Sequence, residues 1–459
     1  MAAVDRWHCL LRADEELSPA FCRALAADMR ARRLTFGQRV HCPFLRPFFL
    51  DDADEARIRV VAETIAAAGE RVIEAALASA ELFDQLGVSE PEERLVRIEP
   101  GYATASTTSR LDAFLLPDGL HCAEYNAESP AGVAYTQRLC ELFGELEVMA
   151  RFQNSHSVRH HETIPKVRQA LLDSYREWGG TASPPVVAIV DWRDVPTWTE
   201  FEILHDDFEA AGVPTLVCDP RELAFEGGAL LAQGRRIDLV YRRVLINDIV
   251  ARPDDCAALV DAYAAGAVCV ANTLRCKLAH KKAFFAVLTD PRNAALFSAA
   301  EHDVFRAHVP WTRVLDDCVT EKDGRQDGLL DLARRDRDRL VLKPNDEYGG
   351  KGVMLGWEAT ESEWESSLNS ALLDGRGTWI VQERIPVRRE TFPQFDDHGR
   401  VTMRDMLVDL APYLFRGRMA GYLTRLSGTG LANVTSGGGQ VPAFVVETRG
   451  SGLGSRDSG

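Results

Sequence analysis

Apolar residues recur at helical spacing through roughly the first 95 positions. They are clearest in DEARIRVVAETIAAAGERVIEAALASAELFDQLG, where a long helix is predicted with Gly87 as its stop. Pro43 and Pro47 break the chain just before it. From Ser109 the period shortens. AFLLPDGLHCAEY reads as two strands around a turn at Pro117-Asp118-Gly119, and TQRLCELFGELEVMARF then returns to helix. From about Pro184 strand and helix alternate. PPVVAIVDW, VPTLVCDP and RRIDLVYRRVL are apolar strands and TEFEILHDDFEAAG is a helix ending at Gly212, which predicts a small parallel sheet with ligands at its strand ends. Beyond residue 266 the pattern is rich in strands and glycine. The expected organisation is a helical region (1–95), the early hairpin with its helices (96–175), an α/β segment (176–265), a last lobe (266–445) and a disordered Gly/Ser-rich tail (446–459).

A chain of 459 residues is too long for one ordinary core, and 46% hydrophobic with 27% charged residues describes a globular enzyme-like protein. The net charge of −16 argues against a nucleic-acid partner but leaves room for a local basic cleft. Ten cysteines at irregular spacing, with no CxxC and no zinc pattern, predict buried reduced thiols. The opening residues show no secretory signal and no segment reaches membrane-spanning length, so a cytoplasmic protein without membrane association is expected. Oligomeric state is not encoded in these patterns.

Chemistry concentrates in two places. In SRLDAFLLPDGLHCAEYNAESPAG, strand alternation puts Arg110 and Asp112 on one face, and Glu124 and Asn126 on one face of the return strand. A hairpin can then gather two carboxylates, an amide oxygen and a guanidinium, a donor set suited to Mg²⁺. The second block is LVLKP, a strand ending in Lys343, followed by NDEYGGKG with Gly349, Gly350, Lys351 and Gly352, then VMLGW. Small residues let backbone N–H groups approach a polyphosphate that the lysine neutralises. It is neither a Walker loop nor a GxGxxG fingerprint. TWIVQERI is a buried strand turning charged at Gln382 and Glu383, where an apolar slot could meet a ribose. MLVDLAPYLFRGRMAGYLTRLSG is a hairpin turning at Arg416-Gly417 with Arg425 on its return, and Asn433 opens a stretch ending in three glycines. Two weaker features are His156 and His160 at helical spacing without a third ligand, and Arg242-Arg243 after a predicted strand, a place to look for a carboxylate substrate.

Taken in order, these pieces resemble the ATP-grasp ligases, with the magnesium segment displaced from the end of the fold to its beginning. Such a circular permutation characterises the glutathionylspermidine-synthase-like family. Its R-x-D…E-x-N-A-[DE]-[ST] pattern is similar to Arg110, Asp112, Glu124, Asn126, Ala127, Glu128 and Ser129. Its "KA" lysine resembles Lys282 of KKAFFAVL, with Lys281 and Lys277 as alternatives, and its KP-plus-glycine loop resembles Lys343-Pro344 with Gly349–Gly352. The resemblance covers about residues 95–445 and includes no amidase-type domain and no identifiable glutathione or spermidine site.

The resemblance implies a circularly permuted ATP-grasp fold of α+β and α/β parts, with a pre-ATP-grasp-like α/β domain. It implies an ATP- and Mg²⁺-dependent ligase that joins a carboxylate to an amine through an acyl phosphate. Asp112, Glu124 and Asn126 would hold Mg²⁺, and Lys282, Lys343 and the 349–352 loop would take the phosphates. Gln382 and Glu383 would face adenine and ribose, with Asn433 in the closing loop. Arg110 and Arg425 would stabilise charge on the transferring group. An ATP-grasp phosphotransferase and a non-catalytic nucleotide-binding scaffold are the alternatives.

Overall fold

The computed structural model describes residues 2–13, 18–428 and 438–447. Its organising element is an antiparallel sheet assembled from distant parts of the chain. The hairpin Thr108–Leu116 and Gly119–Asn126 lies beside the hairpin Val401–Phe415 and Arg418–Ser427, and the short strand Gly439–Val441 closes the far edge. The joint between the hairpins pairs Tyr413 with Arg110 and Phe415 with Thr108, some 300 positions apart in sequence. This is the circularly permuted ATP-grasp arrangement that the sequence predicts. The turn at Arg416-Gly417 has both residues at positive φ (+48° and +73°), the geometry whose twist matches the flanking strands.

A second antiparallel sheet carries the lysine strand Leu340–Pro344 between Met354–Leu355 and Trp379–Glu383, with Thr312–Val314 outermost. The predicted α/β segment is a four-stranded parallel sheet. Cys269–Ala271, Leu239–Arg242, Val187–Val190 and Thr215–Cys218 lie side by side in that order, and the central pair is buried on both faces. Cys269–Ala271 lies past the expected limit at residue 265, because it pairs with Leu239–Tyr241. A small three-stranded sheet of residues 223–236, not foreseen in the sequence, sits in the connection before Leu239.

The N-terminal region is mainly helical but departs from the sequence reading in three respects. Thr35–Phe36 and Arg39–Val40 form a short antiparallel hairpin. Phe48–Asp51 is a strand pairing in parallel with Ala443–Val446. The long helix ends at Ala78, because Ser79 is extended and its hydroxyl accepts from Leu82 N–H, capping a separate helix Ala80–Gln85. Likewise TQRLCELFGELEVMARF forms two helices, Val133–Gly144 and Glu147–Gln153, parted just after Gly144. Val446 is the last residue of its strand, and the remainder of the expected tail beyond Glu447 lies outside the described residues. Among the described residues eight of the ten cysteines are buried and none is paired, and no helix is long and apolar enough to cross a membrane.

Gly87 follows the helix Ala80–Gln85 rather than the long one, and helix resumes over Glu90–Val96. The φ of Gly87 is +68°, and a Cβ there would fall 2.2 Å from the Gly377 carbonyl oxygen, in the loop before Trp379. Gly87→Ala is therefore expected to cost about 2–3 kcal/mol. Denaturant titration checks this, and an unchanged midpoint would show that the two backbones do not touch.

Candidate active site

Cross-strand register builds the acidic end of the site. Asp112 lies directly opposite Glu124, Arg110 opposite Asn126, and Asp409 opposite Arg425 on the neighbouring hairpin. Arg110 holds Asp112 through Nε–Oδ1 and Nη2–Oδ2 contacts of 2.6 and 3.1 Å, and donates to the Ala131 carbonyl at 3.1 Å. Arg425 bridges Asp112 at 2.5 Å and Asp409, through Nε, at 2.6 Å. Asn126 donates to Glu124 at 3.3 Å.

These contacts set the charges. Burial pushes Asp112 up, but Arg110 and Arg425 outweigh it and hold the carboxyl well below its usual range. Burial and Asp112 push Glu124 up, but Lys282, Lys343 and Arg425 together outweigh them, so it is likewise lowered. Asp409 goes the other way, pushed up to about 6 by burial despite Arg425. The set contains two ionised carboxylates and an amide oxygen on adjacent strands, which fits a hard, oxygen-preferring divalent cation. Both oxygens of Asp112 already accept from arginines, so Arg425 would shift its weight to Asp409 when a cation is taken. Among the described residues no group of three or more His, Cys, Asp or Glu side chains could hold a metal, so the amide and the ligand's own oxygens would complete the shell. His156 and His160 form no such site: His156 stacks on Phe152 and His160 packs edge-on to Phe444.

The second block lies across from this hairpin. Lys343 Nζ reaches the Ala123 carbonyl at 3.4 Å, and Lys282 Nζ reaches Glu124 at 3.4 Å. The segments near 120 and 350 therefore face one another across a cleft of about 210 Å³. Asp112, Glu124, Lys282, Lys343, Asp409 and Arg425 line its polar end, and Gly349, Gly350 and Lys351 edge it. Burial lowers Lys343 to about 8, and neighbouring Lys282 adds to the effect. Of the three candidate lysines only Lys282 faces the cleft; Lys277 and Lys281 turn into a buried ion network.

The opposite end is apolar, walled by Phe114, Val341, Leu355, Trp357, Ile385 and Val387. Such a slot accepts a flat ring, with the irregular run 385–387 between Arg384 and Arg388 supplying backbone groups. Gln382 and Glu383 both border the cleft. The Gln382 amide, however, is spent on Lys343 (2.6 Å) and Thr312 (3.0 Å), so its side chain orients the lysine. Glu383 is steadied by Lys322 at 2.9 Å.

Arg110, Asn126 and Gly352 lie just behind the lining: Arg110 and Asn126 support the two carboxylates, and a Cβ on Gly352 would meet Pro344 at 2.7 Å. Asn433 falls outside the described residues. Arg242 and Arg243 are buried at 1% and 5% exposure and bond inward, Arg242 to Glu128 and the Val244 and Asn272 carbonyls, Arg243 to the Pro130 carbonyl and Tyr241. With those partners Arg242 is a structural cation. Sequence reasoning overlooked Asp409, although a single carboxylate within the apolar run MLVDLAPYLF, in register with Arg425, was a usable sign. It also overlooked Trp357 and Arg384, whose guanidinium sits 4.2 Å above the indole.

With this geometry in hand, comparison with known proteins narrows its meaning. The family model described as circularly permuted ATP-grasp type 2 matches residues 92–434. A Frankia alni protein provisionally named glutamate–cysteine ligase 2-3 is 25% identical over 347 residues, covering 70% of this chain and 36% of its own length. An uncharacterised protein of Mycobacterium tuberculosis is 23% identical over 353 residues, covering 72% and 58% respectively. The chain thus spans between about a third and three fifths of these curated relatives. A glutathione synthetase-like effector from Globodera pallida superposes with a TM-score of 0.57 over 94% of this chain and 98% of its own, at 13% identity, a likeness of fold.

Proposed function

Because the chain belongs to the circularly permuted ATP-grasp type 2 family, we propose that it is an ATP- and Mg²⁺-dependent ligase that condenses a carboxylate with an amine. One observation carries the reading. Three carboxyl groups, two lysines and an arginine, drawn from segments as much as two hundred residues or more apart, meet at one end of a cleft whose other end is apolar. That polarity matches a nucleotide lying with its base in the slot and its triphosphate toward Lys282, Lys343 and Arg425.

Amide formation from a carboxylate and an amine is poor at neutral pH, so the acid must be activated. A carboxylate oxygen attacks the γ-phosphorus, the bond to the β,γ-bridging oxygen breaks, and ADP leaves with that electron pair. The neutral amine nitrogen then attacks the acyl carbon, the bond to the phosphate oxygen breaks, and phosphate departs, taking up the proton that the nitrogen loses. Lys282 and Lys343 neutralise phosphate oxygens, and Arg425 faces the charge that develops on the transferring group. Asp112, Glu124 and Asn126 would hold Mg²⁺, which supplies further charge neutralisation. Gly349–Gly352 forms a cover able to exclude water from the acyl phosphate. Arg110 keeps Asp112 ionised and oriented.

The test is an ADP- and phosphate-release screen of amino acids, polyamines and short peptides in donor–acceptor pairs, with mass spectrometry of the product. Glutamate with cysteine is the first pair to try, given the name of the Frankia relative. Phosphate retained on the product would make the protein a phosphotransferase, and failure to bind ATP would remove the nucleotide reading.

The state of Lys343 gives a pH prediction. Its charge is present below about 8 and lost above it, so phosphate attraction weakens as pH rises through that value. The dissociation constant for ATP, measured by calorimetry, is expected to be flat below pH 7 and to rise by up to about tenfold per pH unit above 8. Lys343→Arg should flatten the profile. A wild-type profile flat to pH 9.5 contradicts the assignment.

A further inference from the structure

Beneath the glycine loop, outside the cleft, lies a buried ion network drawn from five separate segments. Lys277 and Lys281, one helical turn apart, are 1% and 4% exposed. Lys281 Nζ donates to both Glu92 oxygens, at 2.8 and 3.0 Å, and to Asp346 at 2.6 Å. Lys277 Nζ donates to Asp346 at 2.8 Å, Asn247 at 2.7 Å and Glu128 at 3.4 Å. Asp346 is thus gripped through both carboxylate oxygens by two cations that themselves have other buried anions.

Its neighbours are pinned as well. The Asn345 carbonyl accepts from Lys282 N–H at 2.9 Å, and its side chain accepts from Ala283 N–H while donating to the Leu86 and Gly377 carbonyls. The Asp346 carbonyl accepts from Asn247, and the Glu347 carbonyl accepts from Lys282 Nζ at 2.5 Å. Past this stem the chain comes to the surface: Tyr348 is 65% exposed, and the Lys351 side chain 76%. The loop that edges the cleft is exposed at Tyr348 and Lys351 and buried and bonded at its root. Lys277 opens the short helix Lys277–His280 and Lys281 caps its end, both reaching Asp346, while the next residue, Lys282, caps the following helix Ala283–Thr289 and lines the cleft.

We propose that Asp346, gripped by Lys277 and Lys281, is a positioning residue that sets the root of the glycine loop and the aim of Lys282. Nucleotide affinity then depends on an ion network that no nucleotide touches. The inference rests on the nucleotide reading of the cleft. It also gives the N-terminal region a part in the site, because Glu92 supplies the anion that holds Lys281 when Asp346 is removed. The fold therefore survives loss of Asp346, while the loop root does not.

The experiment compares wild type, Asp346→Ala and a control, Leu171→Ala, which opens a cavity in the helix Thr163–Glu177 away from the network. Two quantities are read: the dissociation constant for ATP with Mg²⁺, and amide hydrogen exchange of the 344–352 peptide in nucleotide-free protein. Asp346→Ala is expected to weaken ATP about 10- to 100-fold and to speed exchange in that peptide, with the parallel sheet unaffected. Asp346→Glu should recover part of both. Leu171→Ala should lower the melting temperature and move neither. ATP affinity within twofold of wild type, unchanged loop exchange, or equal effects in the control would each overturn the proposal. Should wild type bind no ATP, the nucleotide reading falls, and the exchange measurement still decides whether Asp346 holds the loop.

Discussion

Arg425→Ala is expected to lower the rate constant for ADP release by about 10²–10³-fold, the usual loss when one charged donor to a developing anion is removed. Arg425 stands at the polar end of the cleft between Asp112 and Asp409, and it can keep one carboxylate partner while turning to a phosphoryl oxygen. Its loss also leaves Asp409, 1% exposed, without its ion partner, which costs about 3–5 kcal/mol of stability for an ionised group. Burial already raises Asp409 to about 6, and without the arginine it rises further. A carboxyl raised on folding stabilises the fold fully below its unfolded value near 4 and loses that contribution as pH climbs through its folded value. Both proteins lose it in parallel up to about pH 6, where the wild-type Asp409 ionises, so the variant's stability deficit should widen only above pH 6. Arg425→Lys separates the two roles, since a retained cation restores most of the stability, whereas the fork needed to span two oxygens is gone. Turnover of Arg425→Ala at the wild-type rate would remove it from the reaction.

Glu124→Gln is the second large effect. The change keeps the shape and the hydrogen bond from Asn126 but discards the charge opposite Lys282 and half the carboxylate pair on the hairpin. Turnover at fixed Mg²⁺ should fall by about 10²–10³-fold, with the deficit shrinking as Mg²⁺ is raised. A chelator should abolish wild-type turnover. A variant with the wild-type Mg²⁺ dependence would place the cation elsewhere. The single experiment that distinguishes a lost ligand from a lost lysine partner is ATP affinity without divalent cation, which should rise or hold in Glu124→Gln because a negative charge has left the phosphate end.

The sequence made the hairpin carboxylates, the lysine strand and the α/β sheet legible because each follows a local rule. Two-residue alternation grouped Arg110 with Asp112 and Glu124 with Asn126 around a turn marked by Pro117-Asp118-Gly119, whereas the register shift between Asp112 and Ala113 that sets Asp112 against Glu124 was not legible; apolar runs announced the buried parallel strands. What stayed hidden depends on partners far along the chain. Phe48–Asp51 reads as part of a helical region until Ala443–Val446 arrives to pair with it. Nothing local distinguishes Lys282 from Lys281 and Lys277; only the positions of Glu92, Glu128 and Asp346 decide which lysines are consumed. Gln382 was expected against the base, yet its amide is committed to Lys343, a choice fixed by the neighbouring strand.

The joint between Thr108–Leu116 and Val401–Phe415 has a consequence for how the molecule comes into being. Ribosomes deliver the first hairpin nearly three hundred residues before the strand that covers its flank. In that interval an apolar strand carries an unpaired edge, the kind of surface on which nascent chains adhere to one another. Closing so long a loop is also slow relative to local pairing. The cleft therefore cannot form before the strand Val401–Phe415 has been made, and premature termination upstream of residue 401 yields a product with both the edge and the half-built cleft exposed.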